Sequence, residues 1–224
     1  MKKNVINVGI IDDDETKRSQ IISKLDDFVD GASAEIKERY EEYNLKPIEL
    51  EIKTNINDLL EEILDKNIDA LVVDYMLSSY EAAIDYTGVK FAEETDKKYM
   101  GFPIFILTSY EEELYQKEIF DAYKVFSFER YMNDDQERIE INVKIVEQCI
   151  KRKRQIEEWK TQLEELLPKQ GESSEIDEKI MELDSNLEKS FDGEHAISKE
   201  LKEKLSGDNF TLLLSKLDDL LKGE

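Results

Sequence analysis

The sequence predicts an α/β protein: a five-stranded parallel sheet wound with helices on both faces, followed by an all-α region. Three observations carry this. Short strand-like segments alternate with helix-like ones through the first two-thirds of the chain, as in a parallel sheet joined by crossover helices. Three of the five strand segments are nearly continuous apolar runs, which suits strands covered on both faces. From about Asn133 the pattern is helical alone. With 38% charged residues and only 8 Gly and 3 Pro in 224, turn-rich all-β and disordered classes are disfavoured.

The strands are expected at Val5 to Ile11, Ile48 to Ile52, Ala70 to Val73, Ile104 to Leu107 and Val125 to Phe128, each rich in Val, Ile, Leu or Phe. After the first, Ile21, Leu25, Phe28, Ala32, Ile36, Tyr40 and Tyr43 recur at helical spacing and predict one unusually long helix. Asn55 can cap the next helix, whose apolar face is Ile56, Leu59, Leu60, Ile63 and Leu64. Val89 to Thr95 and Glu111 to Ala122 supply two more.

Ile139, Val143, Val146 and Ile150 form one stripe that can close the α/β domain. Cys149, Ile156 and Leu163 then repeat every seven residues with Trp159 and Leu166 between them, a coiled-coil-like seam that Pro168 and Gly171 end. Ser174 with Asp177 resembles a capping box for a partner helix carrying Ile176, Ile180, Leu183 and Leu187, stopped by Gly193. Two short amphipathic pieces follow, around Ile197 to Leu205 and Phe210 to Leu221, and the whole predicts a small helical bundle. The expected organisation is an α/β domain over residues 1–132, a long connecting helix over 133–168 and a helical domain over 173–224.

Against 31 Lys+Arg stand 54 Asp+Glu, a net charge of -23. Such a field repels phosphate backbones and anionic lipid, so neither nucleic acid nor a membrane surface is an expected partner. The basic cluster Lys151 to Arg154 reads as the solvated face of a charged helix. Cys149 is the single cysteine, so no intrachain disulfide or thiolate zinc site is expected. The apolar run Val8 to Ile11 is too short for a signal-peptide core and no stretch reaches membrane-spanning length, so a cytoplasmic, soluble protein is expected.

In an open parallel sheet the ligand site lies at the carboxyl ends of the strands. Here the first strand ends in Asp12-Asp13-Asp14, the third in Asp74 and the fourth in Thr108-Ser109. Carboxylates brought so close repel one another unless a hard cation sits among them, and an all-oxygen ligand set suits hydrated Mg²⁺. An acid placed directly after a buried apolar strand is costly unless it is solvated or used, which singles out Asp74.

On the acid pair Asp12 and Asp13, the lone Asp74, Thr108 and the five-strand alternation, residues 4–132 resemble a response-regulator receiver domain, the phospho-accepting module of two-component signalling. The resemblance implies a flavodoxin-like sheet of order 2-1-3-4-5. It makes Asp74 the phospho-acceptor, gives Mg²⁺ to Asp12, Asp13 and the backbone carbonyl of Met76, and sets Thr108 on the phosphoryl group. It also implies a histidine kinase or phosphotransfer protein as donor, and a protein effector, or a second copy in a homodimer, engaged through the C-terminal helices. There is no clear match for the lysine that the family carries after strand five. Strand alignment puts Glu129 there, Arg130 is the nearest cation, Lys124 lies at the wrong end, and Phe126 takes the place of the switch aromatic.

Two other readings compete. Asp12, Asp14 and Thr16 fit the Asp-x-Asp-x-Thr pattern of haloacid-dehalogenase-like phosphatases, with Asp12 as nucleophile and Asp14 as acid/base, but this leaves Asp74 without a role. A pseudo-receiver, a binding scaffold without phosphorylation, accounts for the missing lysine but not for the intact acids. His195, the only histidine, reads as a surface residue and Trp159 as seam packing.

Overall fold

A computed structural model describes residues 3–26, 28–77, 84–117 and 124–193. Among them are five parallel strands, β1 (Asn4–Ile11), β2 (Tyr43–Glu49), β3 (Ala70–Val73), β4 (Ile104–Thr108) and β5 (Val125–Ser127), in the order β2-β1-β3-β4-β5. This is the flavodoxin-like order. The chain steps from β1 outward to β2 and then back across β1 to β3, which puts the topological switch point between β1 and β3. The register there pairs Ile11 with Val73, so Asp12 and Asp74, the next residue on each strand, emerge side by side. Every residue of β3 and β4 is buried, as their unbroken apolar sequence demands.

The second strand lies five residues earlier than its apolar signal suggests. It is an edge strand paired with β1 alone, from Asn4↔Tyr43 to Ile10↔Glu49, and buries only Leu45. An edge position accommodates Pro47, which lacks an N–H. The apolar signal at Ile48 to Ile52 comes from Leu50, which is buried just past the strand end while its N–H donates to the Ile10 carbonyl at 3.0 Å.

The long first helix is two helices. Helix α1 (Glu15–Asp26) and helix α2 (Ala34–Tyr40) are separated by a turn in which Gly31 takes a φ of +80° and the Ser33 hydroxyl caps α2 by accepting from the Ile36 N–H. The predicted apolar face survives the break, since Ile21, Leu25, Phe28 and Tyr40 all reach the core. Helix α3 (Ile56–Asp65) is capped by Asn55 and buries Leu59, Leu60 and Ile63, whereas Leu64 is exposed. Helix α4 (Gly88–Lys98) precedes β4. Helix α5 (Glu111–Lys117) covers the start of the segment expected to be helical, and the rest of that segment, 118–122, lies outside the described residues. A short helix, α6 (Phe128–Asn133), follows β5 directly, with the Ser127 hydroxyl accepting from the Arg130 N–H.

Helix α7 (Asp135–Leu166) starts on an Asp134 cap, whose Oδ1 accepts from the Gln136 N–H at 2.9 Å. Its inner face carries Ile141, Ile145, Val146 and Cys149 into the cluster formed by β1, β3 and α1, and Ile139 is buried alongside. Val143 and Ile150 are only partly buried, so the core stripe is rotated from the one read in sequence. Cys149, placed by the heptad count in the C-terminal seam, belongs to this first core instead, and burial pushes its thiol up to about 12. Helix α2 docks here too: the Tyr40 hydroxyl donates to Glu147 Oε1 at 2.5 Å and Arg39 pairs with the same carboxylate at 3.2 Å.

The chain divides into two compact units. The first comprises the described residues through 97 together with 101–153, and the second comprises residues 98–100 with the described part of 154–224. In the second unit a 3₁₀ turn (Leu167–Lys169) containing Pro168 and the left-handed Gly171 end the run of α7, and helix α8 (Ser174–Asp192) follows. The cap is Ser173 rather than Ser174. Its hydroxyl accepts from the Ile176 N–H at 3.3 Å, while Asp177 accepts from the Gly171 N–H at 2.8 Å. Ile156, Ile180, Leu183 and Ser190 are buried; Trp159, Leu163, Leu166 and Leu187 are half-buried. The amphipathic pieces after Gly193, with His195, lie outside the described residues.

Candidate functional site

Asp12 follows β1 and its two carboxylate oxygens have different fates. Oδ1 accepts from the Asp14 N–H at 2.8 Å, which turns the chain into α1, whereas Oδ2 is buried without a hydrogen-bond partner. Asp14 caps α1, with Oδ1 accepting from the Thr16 and Lys17 N–H groups at 2.8 and 3.2 Å. Arg18 fixes the strand end from above by donating through Nη1 to the Asp12 carbonyl at 2.5 Å and pairing with Glu49 at 3.4 Å.

Asp74 follows β3 and is 3% exposed. The Thr108 hydroxyl and the Tyr75 backbone N–H support its carboxylate, while Oδ1 is buried with no hydrogen-bond partner. Thr108, fully buried at the end of β4, also accepts from the Tyr110 N–H at 3.2 Å. One oxygen each from Asp12, Asp13 and Asp74 lie within 4.8 Å of one another. That spread would let all three reach one hard cation. Two orphaned buried oxygens in an all-carboxylate cluster fit a hard divalent cation.

The electrostatics agree. Burial, then the nearby Asp74 charge, pushes the Asp12 carboxyl up from 3.8 to about 7. Burial also raises Asp74, against the lowering influence of Lys17, Thr108 and the Tyr75 N–H. A cation placed among acids this costly to ionise would stabilise their charged forms.

Lys17, which the sequence reading passed over, enters from α1. Its Nζ stands 3.7 Å from Asp74 Oδ2, with its side chain 20% exposed. Burial lowers its pKa but the charges of Asp74 and Asp12 outweigh that, and the net direction is up. The ammonium also faces two rings, Tyr110 at 5.8 Å and Phe128 at 5.5 Å from the centroids.

The other sequence candidates are placed as follows. Arg130 lies in α6, two-thirds exposed, with Nη2 3.7 Å from Glu137, and Glu129 is exposed. Phe126 pairs with Leu107 across the sheet, its ring 5.9 Å from that of Phe105 and 5.3 Å from Lys144 Nζ. Met76 is half-buried two residues beyond Asp74. Gly88, at the start of α4, gave no sequence signal, yet its N–H donates to the Tyr75 carbonyl at 2.9 Å and it packs against the Asp74 peptide.

A parallel sheet of order 2-1-3-4-5 with an acidic cluster at the carboxyl ends of β1 and β3 fits an atypical receiver domain. No family model matches the sequence, and no curated protein matches it. Among solved structures the chain is similar to the crystal structure of the anti-anti-sigma factor PhyR from Bartonella quintana, with 13% identity and a TM-score of 0.41. The match covers 70% of this chain and 51% of that one, so this chain spans about half the length of the PhyR chain. Among the described residues no helix is long and apolar enough to cross a membrane.

Proposed function

We propose that this chain is a response regulator that accepts a phosphoryl group on Asp74 and signals to a protein partner through its C-terminal helices. The observation behind this is the buried Asp74, with an orphaned Oδ1, beside Asp12 and Asp13 at the switch point. A carboxylate oxygen of Asp74 attacks the phosphorus of a phosphohistidine on a kinase or phosphotransfer protein. The new O–P bond forms as the donor's N–P bond breaks, and the electron pair stays on the imidazole nitrogen. Ionised Asp74 has no proton to lose, so the step needs no base. Asp12, Asp13 and the Met76 carbonyl would hold Mg²⁺, which when bound would supply positive charge to the phosphoryl oxygens. Thr108, already on the Asp74 carboxylate, donates to one of those oxygens. Asp14 is occupied as the α1 cap, which favours this reading over Asp12 and Asp14 as a phosphatase pair.

The test is exposure of the full chain to phosphoramidate and Mg²⁺, followed by intact mass measurement. One phosphoryl group is expected, lost in Asp74→Asn. Absence of labelling where an ordinary receiver is labelled would point to a binding scaffold. Steady turnover of a phosphate ester would point to a phosphatase.

A further inference from the structure

The resemblance asks for a lysine just after β5, and the chain has Phe128 and Glu129 there. Arg130 does not fill the gap, since its side chain is two-thirds exposed and its Nη2 faces Glu137 at 3.7 Å. Among the described residues the ion pair of Asp74 is made by Lys17 of α1.

We infer that Lys17 holds the phosphoryl oxygens on Asp74, doing from α1 the work that the family assigns to strand five, with Tyr110 and Phe128 keeping its ammonium in place. This rests on the phosphorylation of Asp74 proposed above. The reach is suitable. At 3.7 Å the ammonium stands off the carboxylate farther than a direct charge-assisted hydrogen bond of about 2.7–2.9 Å, leaving slack for a bulkier phosphoryl group. Its charge is suitable too: a phosphoryl group brings nearly two negative charges into a site of three acids, more than one divalent ion neutralises. Both rings lie close to the ammonium, at 5.8 and 5.5 Å, and restrain the flexible side chain, and Phe128 occupies the very segment from which the lysine is missing. A surface ion pair lacks this setting, because here the acid is buried and the lysine side chain largely so.

The test compares full-length wild type, Lys17→Ala, Lys17→Arg and Arg130→Ala. Three quantities are measured: labelling rate with phosphoramidate, affinity for beryllium fluoride as a phosphoryl stand-in, and affinity for Mg²⁺ alone. Lys17→Ala is expected to label at least about tenfold more slowly and to bind beryllium fluoride correspondingly more weakly. Lys17→Arg recovers part of both, and Arg130→Ala stays within about twofold of wild type. Mg²⁺ affinity in Lys17→Ala is expected to equal or exceed that of wild type, because a competing cation has gone. Weaker Mg²⁺ binding would assign the loss to the metal site and overturn the inference. So would a labelled wild type alongside a Lys17→Ala variant unchanged in rate and beryllium fluoride affinity, leaving the phosphorylation reading standing. A wild type that is never labelled removes both.

Discussion

A Cβ on Gly88 would stand 1.9 Å from the carbonyl oxygen of Asp74. The start of α4 is therefore pressed against the peptide of the candidate phospho-acceptor itself, and the N–H of Gly88 is tied to the next carbonyl, that of Tyr75. Only a residue without a side chain fits between them.

Gly88→Ala is accordingly expected to destabilise the first unit by roughly 1–3 kcal/mol, because the obstacle is backbone and cannot rotate away. Urea unfolding measures the loss. An Ala variant that unfolds at the wild-type midpoint would show that α4 stands farther from Asp74 than this.

Stability should fall as pH rises when the cation is withheld. The folded-state pKa of Asp12, about 7, lies above its ordinary 3.8. The folded protein therefore holds this proton more tightly than the unfolded chain, an advantage complete below the lower value and lost as pH rises through the upper one. Asp74, raised by burial, acts in the same direction. In chelator the melting temperature is expected to drop between about pH 5 and about pH 8, with Mg²⁺ restoring more of it at the higher pH. A larger Mg²⁺ effect in acid would contradict the assignment of Asp12, as would an unchanged profile in Asp12→Asn.

Asn142 is fully buried on α7 and serves three partners. It accepts from the Tyr131 hydroxyl at 3.1 Å and donates to the Lys24 and Phe28 carbonyls at 3.2 and 3.4 Å. Asn142→Leu strands these groups and should cost about 1–3 kcal/mol for each one left unsatisfied. Adding Tyr131→Phe should recover part of the loss. If the double variant is less stable than the single one, the hydroxyl is not paired with Asn142.

In the second unit, Leu183→Ala and Ile180→Ala are expected to cost roughly 2–5 kcal/mol each in circular-dichroism melts, since both side chains are buried. Leu167→Ala, at an exposed position, should stay within about 0.5 kcal/mol. Equal effects at all three positions would remove the distinction between a buried and an exposed face.

How much was legible in the sequence follows from what each signal measures. The β3 and β4 runs announced themselves because both faces are buried and each residue contributes. The edge strand β2 did not, since one buried residue, Leu45, leaves almost no pattern and Leu50 imitates one outside it. The split between α1 and α2 is written in Gly31 and Ser33, a left-handed turn and a cap, but the apolar period continues across them and masked the break. Asp12, Asp13, Asp74 and Thr108 were legible because strand ends converge by topology. Lys17 was not, because a lysine in the first turn of a charged helix looks like any other until the fold shows what lies opposite it.

The acids at Asp12 and Asp13 and the cation at Lys17 arrive in a single stretch of six residues, Asp12 to Lys17. A lysine on β5 would tether the chemistry to the far edge of the sheet. With Lys17 in the proposed role, what the segment after β5 contributes is the Phe128 ring beside that ammonium rather than a charge. On that proposal three charged groups come from one short stretch, while Asp74 and Thr108 come from the ends of β3 and β4 and the Phe128 ring from just after β5. The same arrangement suggests a graft: moving the lysine of a receiver domain from strand five to the position four residues after its second acid, with an aromatic ring set just after strand five, should carry the cation's role to the first helix.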